Sequence, residues 1–169
     1  MEINQLPKVS FDAPETKCCP PFNPEPWDEK EFVFDNKPFV KATTCNFLHM
    51  PLTMGSMMKK TWELITDAEA DSKDEFALLS YDPSAWKGEH YFWVTKEVPG
   101  AEMVNISGTF LTKVFEGPYR DVPKWIKEME SYVVSKGKSL QKMYFYYTTC
   151  PKCMKHYGKN YVVAFAQVD

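Results

Sequence analysis

The fold is decided by residues 108–148, which read GTFLTKVFEGPYRDVPKWIKEMESYVVSKGKSLQKMYFYYT. Gly108 to Phe115 is rich in β-branched and aromatic side chains and predicts a strand, which a glycine–proline turn ends. Apolar residues then recur at steps of three and four from Trp125 to Val133, the spacing of an amphipathic helix. Met143 to Thr148 predicts a strongly aromatic strand, and Asn160 to Val168 predicts another.

The first half of the chain repeats this order of elements. Phe39 to Met50 predicts a strand, and a helix follows to about Ala70, with Thr53 expected as its N-cap. Phe76 to Tyr81 and His90 to Lys96 predict two further strands joined by a turn. The sequence therefore predicts an α+β fold of two β-α-β-β halves, in which an antiparallel sheet carries two helices and leaves a central cleft between the halves.

Residues 1–38 differ in composition from the rest, because seven of the 13 prolines lie there. Proline lacks an amide donor and fixes φ, so these residues are not expected to form a regular helix or a central strand. Cys18 to Phe34 also holds cysteines and aromatic rings that are costly to leave in water. We therefore expect an extended N-terminal arm over residues 1–38, packed on a domain of residues 39–169, with residues 1–16 mobile.

The net charge is −3 and the pI about 5.7, so the chain has no basic excess to neutralise phosphates, and nucleic acid is not an expected partner. The first residues do not resemble a signal peptide, and no stretch approaches the roughly 18 apolar residues of a membrane span. We therefore expect a cytoplasmic protein without a membrane partner. Its five cysteines are then expected to be reduced thiols or metal ligands.

Residues 112–119 read TKVFEGPY and precede a helix with Trp125 and Ile126, then the run Ser135-Lys136-Gly137. This arrangement resembles the second half of GyrI-like effector-binding domains, which carries a strand, a Gly-Pro-Tyr or Gly-x-Tyr turn, a helix, a glycine and a tyrosine-bearing strand. The resemblance implies two SHS2 repeats around a concave, aromatic-lined pocket. Nothing in the chain resembles a helix-turn-helix, so it looks like the stand-alone members, which are similar to hydrolases of cyclopropane-bearing DNA-alkylating natural products.

Typical members of that family place an acidic residue in the last strand, whereas the last predicted strand of this chain contains no carboxylate. This departure disfavours a cationic ligand. Glu116, at the end of a strand, is the first candidate for a replacement, with Glu63 and Glu89 as weaker ones; the alternative for Glu116 is a solvated surface carboxylate. In the expected reaction Glu116 takes a proton from water, and Tyr144 or Tyr146 donates to an oxyanion that develops on the ligand.

Aromatic and methionine side chains are expected to line the cleft, because rings stack on a flat ligand and thioethers adapt to apolar surfaces. Along the aromatic strand, Tyr144 and Tyr146 share one face, while Phe145 and Tyr147 share the other. The alternative for the whole set is packing in the core. The expected ligand-binding residues are Trp86, Tyr91, Trp93, Tyr119, Phe145, Tyr147, Met54 and Met57.

Cys150 and Cys153 form a Cys-x-x-Cys pair, and His156 follows three residues later. Such a pair can bind a structural zinc ion, and Cys18 and Cys19 complete four ligands if the arm folds back onto it. A redox dithiol is a second interpretation, although the residues after the pair do not predict the helix that such a motif normally opens. Inert loop thiols are the third interpretation. The expected reaction itself requires no cofactor.

The leading prediction is a protein that binds a flat, apolar, aromatic small molecule, with hydrolysis of a strained or electrophilic ligand as a detoxification step. One alternative is a non-catalytic protein that sequesters ligands or inhibits gyrase. Another is a zinc-stabilised interaction module without a ligand. The sequence identifies no protein partner. His49 and His90 are expected to be hydrogen-bonded histidines and not bases.

Overall fold

The computed structural model of the protein describes residues 2–10 and 18–169. The strands are β1 (Glu31–Phe47), β2 (Met50–Pro51), β3 (Leu78–Ser84), β4 (Lys87–Trp93), β5 (Glu102–Glu116), β6 (Leu140–Tyr147) and β7 (Tyr161–Val168). The helices are α1 (Met54–Asp67), α2 (Val122–Ser135) and α3 (Pro151–Tyr157). The predicted β-α-β-β order therefore occurs twice, with β2 and α3 added. No helix in these described ranges is long and apolar enough to cross a membrane.

The sheet closes on itself. Its strand order is β2-β1-β4-β3-β6-β7-β5 with antiparallel pairs throughout, and β1 also pairs with β5. β1 reaches both neighbours because it is 17 residues long and carries a bulge between Phe34 and Lys37, where Asn36 has a φ of 49°. The six longer strands form a barrel-like wall, and β2 extends only the end of β1.

The predicted central cleft is replaced by a closed interior, because β1–β5 and β3–β6 pairs join the two halves on both sides. Closure leaves the six longer strands without a free edge and buries rings that an open cleft would leave in water. Helices α1 and α2 pack on the outside of the wall, over separate apolar clusters. The inner core includes Phe34, Phe39, Tyr91, Phe110, Tyr144, Tyr146 and Phe165.

One end of the interior, which we call the arm end, is closed by Phe22 and Trp27 of the N-terminal arm. Trp27 is 2% exposed, and its ring centre lies 5.5 Å from that of Tyr146 and 6.0 Å from that of Phe165. The ring of Phe22 lies 6.3 Å from that of Tyr146. The arm therefore completes the core instead of lying on an already finished domain.

Two expectations about the arm differ from the structure. Residues 31–38 form the beginning of β1, and Pro38, which has no amide hydrogen to donate, pairs there through its carbonyl, which accepts a hydrogen bond of 3.2 Å from the Val94 amide. Residues 2–10, expected to be mobile, pack against the barrel with Leu6 buried in the inner core. The remainder of that mobility prediction, residue 1 and residues 11–16, lies outside the described residues.

The ends of α1 and α3 show which residues begin and end a helix in this chain. Thr53 precedes α1 as predicted, but its hydroxyl accepts a hydrogen bond of 3.0 Å from the Cys45 amide and does not cap the helix. Helix α3 was not predicted. It has proline in its first turn and ends at Gly158, whose φ of 70° is the left-handed conformation common after a helix.

Candidate functional site

Five side chains meet on the inner face of β3, β4 and β6: Tyr81, Glu89, Tyr91, Lys142 and Tyr144. We call this group the tyrosine end. Tyr81 lies opposite Glu89 in the register of β3 and β4, and Tyr91 lies two residues further along β4. Alternate residues of a strand share a face, so Glu89 and Tyr91 point to the same side. Three neighbouring strands thereby bring a carboxylate, three phenols and an amine together.

Glu89 is the carboxylate of the tyrosine end. Its Oε2 accepts a hydrogen bond of 2.7 Å from the Tyr91 hydroxyl, and Lys41 Nζ lies 3.5 Å from the same oxygen. The Glu89 side chain is 13% exposed, so solvent reaches the carboxylate without fully hydrating it. Glu102 Oε1 lies 3.9 Å from Lys41 Nζ on a largely exposed side chain, which places the group at a rim of the barrel.

Lys142 carries its amine over the tyrosine rings. Its Nζ lies 4.2 Å from the ring centre of Tyr81, 4.9 Å from that of Tyr144 and 5.7 Å from that of Tyr91. Ring faces attract cations at such distances. The register of β6 against β7 shifts between Leu140 and Lys142, which lets Leu140 pack under α2 while Lys142 points inward.

The surroundings set the protonation of these groups. Burial opposes ionisation of Glu89, but the Tyr91 hydrogen bond and the charges of Lys41 and Lys142 outweigh it and hold the pKa of Glu89 below its usual range. Burial lowers the pKa of Lys142, against the attraction of Glu89. Burial raises the pKa of Tyr144 to about 12 and also raises the pKa of Tyr91. At neutral pH Glu89 is a carboxylate, and both phenols keep their protons.

This combination has a defined chemical capacity. A carboxylate can accept a proton from water, while phenols and an amine of lowered pKa can donate to a negative charge that develops on an oxygen atom. Tyr81 is partly exposed and Tyr144 is buried, and the Lys142 amine lies over both rings. The tyrosine end therefore brings together groups that can accept and donate protons.

The structure separates Glu116 from this group. Glu116 is exposed. Phe165 of β7 pairs with Tyr144 on one side and with Thr112 of β5 on the other. Glu116 lies four residues further along β5 than Thr112. At about 3.3 Å per residue this corresponds to roughly 13 Å. Tyr146 is nearer to Glu116, because its partner across β7 is Val114, two residues before Glu116. However, Tyr146 is buried at the arm end beneath Phe22 and Trp27.

The expected ligand-binding residues of the second half lie mainly on the outer face. Phe145 and Tyr147 pack in the cluster beneath α2, as the alternation along β6 predicts. The ring of Tyr119 lies 5.4 Å from that of Tyr147. Phe145 and Tyr147 therefore pack in the core, whereas Tyr119 is 41% exposed.

The expected binding residues of the first half are dispersed. Tyr91 belongs to the tyrosine end, and Trp93 packs against the inner core. Trp86 is 58% exposed on the β3–β4 turn, with its ring 5.6 Å from that of Phe47. Met54 and Met57 belong to α1 and pack in the apolar cluster between this helix and the sheet. Met57 also lines a cavity of about 400 Å³ between α1, β1 and the start of β5. The structure therefore does not bring the predicted set into one pocket.

A second lysine, Lys37, lies inside the barrel. Its side chain is 2% exposed, its amine donates to the carbonyl of Asn4, and its Nζ lies 4.4 Å from the ring centre of Trp93. Burial lowers the pKa of Lys37 to about 8, although the charge of Glu75 opposes this. The bulge that closes the barrel is adjacent to Lys37, which the sequence did not indicate as an inner residue.

His90 lies in a buried polar network on the outer face. Its Nδ1 is 2.8 Å from Ser80 Oγ, and its Nε2 is 3.0 Å from Thr44 Oγ1, so both ring nitrogens have partners. Burial lowers the pKa of His90, with some opposition from Asp82. The prediction of a hydrogen-bonded histidine is confirmed. Gly88 makes room for the network, because a Cβ there would lie 2.5 Å from Thr44 Oγ1.

The cysteines of the arm and of α3 also come together. The Sγ atoms of Cys18, Cys19, Cys150 and Cys153 all lie within 4.8 Å of one another. His156, the fifth expected ligand, is not in this group, and its ring lies 5.2 Å from that of Tyr157. Among the described residues this set therefore consists of four sulfur atoms and no imidazole.

A closed antiparallel sheet with an aromatic interior and helices on its outer face defines an α+β, barrel-like class of domain, and its aromatic cluster is compatible with small-molecule binding. Residues 9–168 match the family described as "Bacterial hydrolase", and the chain belongs to that family. None of the curated proteins matches the chain.

Among solved structures, the chain is similar to an uncharacterized conserved protein from Listeria innocua. The two share 10% sequence identity over 84% of this chain and 92% of the other, with a TM-score of 0.62. This similarity shows the fold alone. Membership of the GyrI-like family remains a prediction.

Proposed function

We propose that this protein hydrolyses a flat, apolar small molecule with an electrophilic centre at the tyrosine end. The observation that carries the proposal is the 2.7 Å hydrogen bond between Tyr91 and Glu89 beside the amine of Lys142, which itself lies over three tyrosine rings. The family description supports hydrolysis as the reaction class. A strained ring conjugated to a carbonyl, or an aryl ester, has the required chemistry.

In this reaction Glu89 accepts a proton from a water molecule as the water oxygen bonds to the electrophilic carbon. The electron pair of the bond that breaks moves onto the leaving atom, or first onto a carbonyl oxygen. The Tyr144 hydroxyl and the Lys142 amine donate to that oxygen. The proton held by Glu89 then passes to the leaving group, so the sum of the steps is addition of water across one bond.

The proposal takes Glu89 in place of the sequence candidate Glu116 because of its neighbours. Glu89 has a phenol and two amines around it and is largely screened from solvent. Glu116 is exposed, and no described contact joins it to Tyr144 or Tyr146. A carboxylate acts as a base on a bound ligand only within hydrogen-bond reach of the reacting water.

The test uses 4-nitrophenyl acetate, a flat aryl ester whose hydrolysis releases a coloured product. Glu89→Gln keeps the shape of the side chain and removes its basicity, so we expect kcat/KM to fall about 100-fold. Glu130→Gln, an exposed change on α2, serves as the matched control and should retain the wild-type rate. Glu116→Gln tests the carboxylate that the sequence favoured.

Two outcomes would contradict the proposal. A loss of rate in Glu116→Gln with an unchanged Glu89→Gln variant would move the reaction to the exposed end of β5. Quenching of tyrosine and tryptophan fluorescence by aryl esters and aryl ketones, without turnover of any of them, would instead indicate a protein that sequesters its ligands.

A further inference from the structure

The four cysteines of the arm and α3 have the spacing of a tetrahedral metal site. The Cys18 Sγ lies 3.7 Å from both Cys19 Sγ and Cys150 Sγ, and all four sulfurs are within 4.8 Å of one another. Four thiolates at about 2.3 Å from one zinc ion stand about 3.8 Å apart. A disulfide would require a separation of about 2.05 Å, so the two measured distances fit shared coordination and not a covalent bond.

The backbone turns these side chains toward one point. Successive residues of an extended segment point to opposite sides, but a bend at residues 18–19 brings both thiols of the vicinal pair to the same side. On the other segment, Cys150 is the residue before α3 and Cys153 lies within its first turn. Residues three apart on a helix are neighbours on its surface. The bend at residues 18–19 and the start of α3 therefore bring the four thiols together.

Donors surround the sulfurs, as is usual around bound thiolates. The Cys19 amide donates to Cys153 Sγ and the Cys150 amide donates to Cys19 Sγ, each at 3.4 Å. The Tyr157 hydroxyl donates to the Cys19 carbonyl at 2.9 Å and fixes the position of that residue. Hydrogen bonds to metal ligands orient them and are a normal part of a metal site.

We propose that Cys18, Cys19, Cys150 and Cys153 bind one zinc ion, which fastens the N-terminal arm to α3 and thereby keeps the arm end of the barrel closed. Four thiolates complete the tetrahedral coordination of zinc and leave no position for water or substrate, so the site is structural. Cys153 is fully buried and therefore cannot itself meet a redox partner.

The site joins the N-terminal arm, close to the rings that cover the arm end, to α3. Cys19 is three residues before Phe22, whose ring packs 5.8 Å from that of Tyr161 and 6.1 Å from that of Trp27. Trp27 fills the inner core. A metal that joins residues 18–19 to residues 150–153 therefore holds the segment that covers the arm end, and its loss should loosen Phe22 and Trp27 first.

The test is the zinc content of the whole chain, purified under reducing conditions and measured by inductively coupled plasma mass spectrometry. We expect one zinc per chain in the wild type. Cys153→Ser should bind at least tenfold less, whereas Cys45→Ser, which changes the exposed cysteine outside the cluster, should keep the full amount. Cys18→Ser, at an exposed ligand, gives the same comparison if the buried variant does not fold.

Metal replacement gives a second measurement that does not depend on a variant. Cobalt added to the metal-free wild-type chain should produce the absorption bands of tetrahedral thiolate coordination, and zinc should then remove them. Removal of zinc by a chelator should shift the tryptophan emission to longer wavelength, and this shift should disappear in Trp27→Phe. Zinc below about a tenth of an equivalent after reconstitution, iron in place of zinc, or a disulfide in the reduced preparation would overturn the proposal.

Discussion

The two ends of the barrel interior both carry buried tyrosines, and they differ in what surrounds those rings. At the arm end Tyr146 is covered by Phe22 and Trp27, and its ring packs against both of theirs. At the tyrosine end Tyr144 lies beside Lys142 and Tyr91 hydrogen-bonds to Glu89, with partly exposed charged groups at the rim. Tyr144 and Tyr146 thus lie two residues apart on the same face of β6, but Tyr146 is a core side chain and Tyr144 is a candidate reactive one.

This difference teaches that aromatic content alone does not locate a binding site. Both ends carry aromatic rings, and Tyr144 and Tyr146 lie on the same face of one strand. What separates them in the described part of the chain is a carboxylate within hydrogen-bond distance of a phenol, which the tyrosine end holds. The following predictions test whether the two ends have different roles.

The largest expected effect is on stability at the arm end. Trp27→Ala removes a fully buried indole from the inner core and should lower the free energy of unfolding by about 3–5 kcal/mol. Trp86→Ala, at an exposed position, should change it by less than about 0.5 kcal/mol. Urea denaturation of both variants measures the difference, and equal losses would show that the arm does not complete the core.

The next effect concerns Lys37 and pH. The pKa of Lys37 is about 8 in the folded protein against an ordinary value of 10.5, so between these values the unfolded chain binds more protons than the folded one. The contribution of this residue to stability therefore rises as the pH increases from about 8 to 10.5. At 1.36 kcal/mol per pKa unit the total is on the order of 3 kcal/mol.

The measurement compares wild type with Lys37→Met, because other groups that titrate over this range then cancel. Lys37→Met should have the larger free energy of unfolding near pH 7. The difference between the two proteins should shrink in favour of the wild type as the pH rises toward 10. Urea unfolding at several pH values gives both curves. Parallel curves would mean that the Lys37 amine is not buried in the way the structure places it.

The smallest expected effect distinguishes two matched tyrosines. Tyr144→Phe and Tyr146→Phe each remove one hydroxyl and keep the ring. If the tyrosine end is reactive, Tyr144→Phe should lower kcat for 4-nitrophenyl acetate about tenfold, the value of one donated hydrogen bond of about 1.4 kcal/mol. Tyr146→Phe, covered by the arm, should keep the wild-type kcat. The reverse result would restore the sequence-based pairing of Tyr146 with Glu116.

Much of the fold was predictable because helices and strands follow the spacing of apolar residues. The helical spacing around Trp125 and the aromatic run at 143–148 predicted α2 and β6 to within a few residues. Closure of the sheet was not predictable in this way. It depends on the bulge after Phe34 and on Pro38 within β1, and the sequence favoured an irregular arm at both places.

The site was predictable only in part, for a physical reason. Glu89 and Tyr91 are two apart on one strand, so their shared face follows from the sequence, and this spacing would have ranked Glu89 above Glu116. Lys142 was missed because the predicted strand began at Met143, whereas β6 begins at Leu140 and places Lys142 on the same face as Tyr144. The convergence of the cysteines depends on tertiary contacts between segments 132 residues apart.

The separation of the cysteine pairs has a consequence for the order of folding. Cys18 and Cys19 leave the ribosome early, but Cys150 and Cys153 follow only when most of the chain has been made. Contacts between distant segments form slowly, because a long loop must close first. Any attachment of the arm to α3 must therefore be a late step, and until then Trp27 and Phe22 are aromatic surface that a chaperone can hold.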